Sequence, residues 1–108
     1  MRVLVCGGRR YDNKDKVAKT LAAINPTVII QGGGTGADEL AKIWAQRNNI
    51  PTVTYYPTWH FGRGGGPRRN QFMLEDSRPD LVVAFPGGSG TADMVMRAGV
   101  AGVEIRKI

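Results

Sequence analysis

Leu81-Val82-Val83-Ala84-Phe85 is a short apolar run that stops at Pro86, and three glycines within the next four positions lead to Thr91, Ala92 and Asp93. An apolar run of this length, bounded by turn residues, reads as a buried strand. The hydroxyl residue and the helical apolar spacing after it read as a helix N-terminus. Strand, tight loop and helix start therefore meet within a few residues. Free backbone N–H groups and the positive end of a helix dipole converge there, an arrangement that favours an anion, most often a phosphate. Pro86, Gly87, Gly88, Ser89, Gly90 and Thr91 are candidate phosphate-binding residues on this ground.

The same device stands earlier in the chain. Thr27 to Gln31 is β-branched and apolar, which suits a strand, and Gly32-Gly33-Gly34-Thr35-Gly36-Ala37-Asp38 follows it directly. A third strand pattern, Met1 to Cys6, runs into Gly7-Gly8-Arg9. Strand, paired glycines and helix begin a Rossmann-like unit, although the full GxGxxG pattern is absent.

Helices are expected between the strands. Val17, Leu21 and Ile24 share a face, with Asp12 or Asn13 as cap and Asn25-Pro26 as the stop. Leu40, Ile43 and Trp44 form the expected buried stripe of the next helix, which ends at Asn48-Asn49. Ile50 to Tyr56 reads as a third strand in order. Pro67 is suited to a helix start, with Phe72 and Met73 on the apolar face. After Pro86 a helix from about Thr91 to Arg97 would carry Val95 and Met96, and Val103 to Arg106 reads as a last short strand.

This alternation predicts an α/β fold: one Rossmann-like three-layer domain over residues 1–108, with a parallel sheet of about five strands and helices on both faces. In the Rossmann-type order the strands ending at Gln31, Cys6 and Phe85 lie at the sheet centre. Ligands of such sheets bind outside the carboxyl ends of the strands, at the point where strand order reverses. Three glycine loops would then share one crevice.

Charge narrows the ligand. The chain of 108 residues has a formal net charge of +6, and no acidic residue lies between Glu39 and Glu75. Lys42, Arg47, Arg63, Arg68 and Arg69 all fall in that interval. Such a balance suits anionic partners: a nucleotide-like small molecule, with single-stranded nucleic acid as an alternative. Arg69 and Asn70 open a helix, where an arginine opposes the dipole, so Arg69 is a candidate fork on phosphate, as is Arg9 beside the first glycine pair. Asp38 and Asp93 either buttress their loops or hold ribose hydroxyls.

Other chemistries find few residues. Cys6 is the only cysteine, which excludes an intrachain disulfide and makes a zinc cluster unexpected, and it reads as an inert buried thiol. His60, the only histidine, reads as structural or solvated rather than catalytic. Trp59 or Phe61 could stack on a base or pack the loop. No metal site, cofactor, Ser-His-Asp order or P-loop lysine is expected. No long apolar run follows a charged start, so a cytoplasmic protein without a membrane partner is expected. A homodimer is a further expectation, since the last short strand could leave an edge needing cover.

Four segments together resemble the YspA-like (cpYpsA-related) branch of the SLOG superfamily. They are Val3 to Asp12, Gly32 to Asp38, Gly66 to Met73, and Pro79 to Met94. The resemblance implies a Rossmann-like fold and nucleotides or nucleotide-derived ligands, ADP-ribose-type signals among them; one branch binds single-stranded DNA. The superfamily also holds the Lonely Guy phosphoribohydrolases, whose Pro-Gly-Gly-x-Gly-Thr-x-x-Glu motif is similar to Pro86 to Thr91. Its final glutamate falls on Met94, which can neither act as an acid nor hold a hydroxyl. Asp93 lies one residue earlier, about 100° around a helix. It is the candidate catalytic carboxylate of a phosphoribohydrolase-like enzyme, provided the loop shifts.

Overall fold

A computed structural model describes residues 1–57 and 65–108. The chain runs β1 (Arg2–Cys6), α1 (Lys14–Ile24), β2 (Val28–Gln31), α2 (Ala37–Arg47), β3 (Thr52–Thr54), α3 (Gly65–Ser77), β4 (Leu81–Ala84), α4 (Ser89–Val100) and β5 (Glu104–Lys107). All five strands are parallel, in the order β3-β2-β1-β4-β5. Leu4 is level with Ile30 on one side and Val82 on the other. The expected α/β, Rossmann-like architecture is therefore present, with β2, β1 and β4 at the centre.

Successive strand residues point to opposite faces, and the core divides accordingly. Val3, Val5, Ile29, Leu81, Val83 and Phe85 pack against Val17 and Leu21 of α1 and the alanines of α2. Leu4, Cys6, Ile30, Val82 and Ala84 pack against Met73 and Leu74 of α3 and Met94 and Ala98 of α4. Apolar runs buried on both faces are what a parallel sheet between helical layers requires. Asn13 caps α1 by accepting the Lys16 N–H at 3.1 Å, and Asn25 ends it in a left-handed conformation at φ 56°.

Three helix faces differ from expectation. α2 turns Ala37, Ala41 and Ala45 to the sheet, while Leu40 and Trp44 flank that row and Ile43 is 36% exposed. Small side chains let the helix approach closely: a Cβ on Gly7 would lie 2.5 Å from that of Ala37. α4 begins at Ser89 and buries Met94 and Ala98, leaving Val95 partly buried and Met96 54% exposed. Met94 and Met96 are about 200° apart on a helix, so one of them faces water. Phe72 of α3 is also largely exposed and packs edge-on against Tyr55. β3 covers only part of the segment expected, ending two residues before Tyr56.

β5 closes one sheet edge and carries Glu104, Arg106 and Lys107, charges that counter edge-to-edge pairing. Among the described residues no helix is long and apolar enough to cross a membrane.

Candidate functional site

The carboxyl ends of β1, β2 and β4 open onto one cavity of about 1180 Å³. Of the residues singled out in the sequence, Gly7, Gly8 and Arg9 line it after β1, and Gly32, Gly33, Gly34 and Thr35 after β2. Gly88, Ser89, Gly90 and Thr91 line it at the start of α4, Arg69 and Asn70 from α3, and Asp38 and Asp93 from α2 and α4. The crossover order explains the convergence: β1 sits between β2 and β4, so their loops are neighbours in space while far apart in sequence.

Gly36, Pro86 and Gly87 do not line the cavity; they hold the loops together around Gly8. The Gly8 N–H donates to the Pro86 carbonyl at 2.8 Å, and the Gly8 carbonyl accepts from Ala37 N–H at 3.1 Å. Gly36 has φ 73°, and a Cβ there would fall on the Gly8 carbonyl oxygen. A Cβ on Gly87 would meet the Thr91 hydroxyl and come 2.6 Å from Gly8 N. Gly88 and Gly90 contrast with both: among the described residues, their own chain neighbours and helix backbone aside, nothing lies within 4 Å of where their Cβ atoms would be. The fold does not need glycine at these two positions, and the space beside them belongs to the cavity.

Three helix N-termini border the cavity, those of α2, α3 and α4, and the starts of α2 and α4 differ. α2 carries Asp38 and Glu39 in its first turn, and Asp38 Oδ2 accepts the Gly34 N–H at 3.1 Å. Neither helix has a side-chain cap at its N-cap glycine, Gly36 or Gly88, but α4 carries no acidic residue in its first turn. The first N–H groups of a helix have no intrahelical partner, so the α4 terminus presents open donors to the cavity and the α2 terminus is already partly answered by its own carboxylate.

Arg69 spans the β2 and β3 ends. Its Nη1 donates to the Gly32 carbonyl at 2.7 Å and the Tyr55 carbonyl at 2.8 Å, and its Nε donates to Asn70 Oδ1 at 3.1 Å. Nη2 has no hydrogen-bond partner among the described residues. Asn70, buried at 5% exposure, passes the connection on by donating to Asp93 Oδ2 at 2.9 Å and the Gly90 carbonyl at 3.3 Å. Asp93 also pairs with Arg97 at 2.9 Å, and Arg97 reaches Gln71 at 3.0 Å. A continuous polar chain thus braces the strand ends against the start of α4.

The ionisable groups are tuned in opposite senses. Burial raises the Asp38 pKa, and the Gly34 and Gly32 N–H groups with Arg69 and Arg9 pull it back only in part. Burial also acts upward on Asp93, but its hydrogen bonds from Arg97 and Asn70 outweigh that and leave it below the usual carboxylate value. Burial lowers the Arg69 pKa, with Arg9 adding to the effect and Asp38 opposing it. Burial, helped by Asp38, pushes the Cys6 thiol up to about 12, so the sulfur that borders the cavity stays protonated and unreactive.

Met94 is buried in the core at 1% exposure while Asp93 borders the cavity. The position on which the resemblance places the motif's glutamate thus faces the core, while Asp93, one residue earlier, lines the cavity. Tyr56 and Pro57 also line the cavity and were missed, because the sequence places Tyr56 inside a strand. Pro57 after two tyrosines was the available signal that the strand had ended. Trp59, His60, Phe61 and Arg63 lie outside the described residues. Among the described residues no group of acidic, histidine or cysteine side chains is arranged to hold a metal ion.

Comparisons with known proteins agree with this fold. Residues 1–62 match the model of the YspA, cpYpsA-related SLOG family. The gene 61 protein of Mycobacterium phage D29 is 29% identical over 117 aligned residues, covering 96% of this chain and 93% of that protein. The DNA processing protein A (DprA) of Streptococcus pneumoniae superposes with a TM-score of 0.58 at 18% identity. That match covers 96% of this chain and 57% of DprA, so the chain spans little more than half of its structural neighbour. At that identity the likeness concerns the fold.

Proposed function

The chain belongs to the YspA, cpYpsA-related SLOG family, and from that premise we propose that it binds a nucleotide or nucleotide-derived ligand, such as a nucleoside phosphate or an ADP-ribose derivative. It would act as a sensor, carrier or sequestering protein. The observation that carries this reading is the start of α4: an uncapped helix N-terminus, free of acidic residues in its first turn, with open space beside Gly88 and Gly90. Phosphate there gains the donors and the dipole that the fold leaves unused. Arg69 Nη2 and Arg9 supply positive charge from the other walls. The Gly32–Gly36 loop is less suited to phosphate than the sequence suggests, since Asp38 already occupies its donor at Gly34. Asp38 suits a ribose hydroxyl instead.

The test is calorimetry and thermal denaturation with inorganic phosphate, ribose 5-phosphate, nucleoside monophosphates and ADP-ribose. A ligand at a hundred times its Kd stabilises the folded state by about 2.7 kcal/mol, which for a domain of this size raises Tm by roughly 10 °C. No stabilisation by any member at millimolar concentration overturns the reading.

Asp38 and Asp93 favour a second reading. Two carboxylates border one cavity with pKa values displaced in opposite directions, a pattern seen where one acts as an acid and the other stays ionised. That supports a phosphoribohydrolase-like cleavage of the N-glycosidic bond. Chromatography of the titrated nucleotides for free base distinguishes hydrolysis from binding alone. Single-stranded nucleic acid is a third occupant. The acid-free interval up to Glu75 and the name of the DNA-processing neighbour support it, and a steep fall of affinity with salt is its signature.

A further inference from the structure

A second cavity of about 220 Å³ lies on the α2 side of the Gly33–Thr35 segment. Gly33, Gly34, Thr35 and Tyr56 border both cavities, whereas Glu39 and Lys42 border only the smaller one. A volume of this size equals about seven waters, which suits one ring system rather than a whole nucleotide. The two spaces therefore adjoin along Gly33–Thr35 and Tyr56.

The lining chemistry selects among occupants. Tyr56 is 55% exposed, its ring resting against Gly33, and among the described residues it forms no pair with another aromatic ring. Lys42 is half-buried, and neither it nor Glu39 has an ion-pair or hydrogen-bond partner among the described residues. Gln31, the other polar side chain there, is already spent: its amide donates to the Thr54 hydroxyl and accepts the Gly33 N–H at 2.6 Å. A bare anion in this space would meet the Glu39 carboxylate, and a bare cation would meet the Lys42 ammonium. A neutral heterocycle with a donor and an acceptor on one edge answers both, and a flat ring suits the tyrosine.

We propose that the smaller cavity is a nucleobase subsite, in which Tyr56 stacks the base while Glu39 and Lys42 read its edge. This rests on the larger cavity holding the ligand's phosphate. Base–aromatic stacking alone gives about tenfold or more in affinity.

The experiment measures Kd by calorimetry for ribose 5-phosphate and for AMP, GMP, CMP and UMP. It uses the whole chain and its Tyr56→Leu, Glu39→Gln and Lys42→Gln variants. Tyr56→Leu keeps apolar bulk over Gly33 while removing the aromatic face, and thermal denaturation checks that each variant folds. The wild type should bind at least one nucleotide tenfold or more tighter than ribose 5-phosphate. That ratio should fall to within about threefold in Tyr56→Leu, and the ranking of the four nucleotides should change in Glu39→Gln or Lys42→Gln. Equal binding of ribose 5-phosphate and all nucleotides overturns the base subsite and leaves the phosphate reading standing. So does a ratio that survives Tyr56→Leu, or a ranking that neither charge variant alters. Absence of binding by every probe removes both readings.

Discussion

The segments at 32–38 and 86–93 are close in composition: clustered glycines, a threonine, then Ala-Asp on a new helix. Their aspartates go to different places. Asp38 turns back on its own loop and accepts the Gly34 N–H. Asp93 turns away from its loop to Asn70 and Arg97, and the start of α4 is left without an anion of its own. The glycines divide in the same manner. In the first loop Gly36 is required by a left-handed φ and by the Gly8 carbonyl packed against it; in the second Gly87 is packed as tightly against Thr91 and Gly8, whereas Gly88 and Gly90 have open space beside them among the described residues. One loop is thus closed by its own aspartate, and the start of the helix after the other is not. Composition alone cannot separate the two, because the difference lies in what each backbone touches.

The largest effect tests the closed loop. Gly36→Ala forces a Cβ into the left-handed region and onto the Gly8 carbonyl. Backbone strain of about 1–3 kcal/mol and overpacking of about 1–3 kcal/mol act together. Chemical denaturation should show a loss of about 3 kcal/mol or more, a large share of the 5–15 kcal/mol typical of a domain. Equal stability of Gly36→Ala and wild type would break the distinction at its stronger end.

Much of this was legible in the sequence, and the reason is visible in particular residues. β1, β2 and β4 are mostly apolar runs followed within three residues by a glycine pair, a signal that burial on both faces makes unusually clean. Sheet order then follows from the Rossmann-like alternation, and the convergence of loops follows from sheet order. Helix faces were less legible. The sequence shows Leu40, Ile43 and Trp44 as the heavier stripe, but close approach to the sheet selects Ala37, Ala41 and Ala45. Tyr56 was missed since β-propensity runs past the last ladder bond, and only pairing with β2 fixes where β3 ends. Arg69 is expected as a phosphate fork, and one of its nitrogens also joins the ends of two strands. Nothing local to Pro67-Arg68-Arg69-Asn70 encodes the positions of Gly32 and Tyr55.

A smaller effect tests the open loop. Gly90 lies in the first turn of α4 with no neighbour near its missing Cβ. Gly90→Ala should gain up to about 1 kcal/mol, the usual helix preference for alanine over glycine. The new methyl stands where the phosphate is proposed to bind, so calorimetry with ribose 5-phosphate should show affinity reduced tenfold or more. Stability and binding would then move in opposite directions at one residue. A Gly90→Ala variant that binds as tightly as wild type would move the phosphate away from α4.

The smallest effect compares the two aspartates by pH. Asp38 has a raised pKa in the folded state, so folding favours its protonated form. Its ionisation therefore costs stability as pH rises from the unfolded value of about 3.9 through the folded one. Replacing it by Asn removes that cost, so Asp38→Asn should gain stability relative to wild type as pH rises through this window, with the gain levelling off above it. Asp93 has a lowered pKa, and its contribution has the opposite sign: present above about 3.9 and lost as pH falls through the folded value. Asp93→Asn should therefore lose stability relative to wild type as pH rises from acid toward neutrality. Urea denaturation of the two variants from pH 2.5 to 7 reads both slopes. Slopes of the same sign would mean that the carboxylates share one environment, and the contrast between a loop closed by its own aspartate and a loop left open would fail with them.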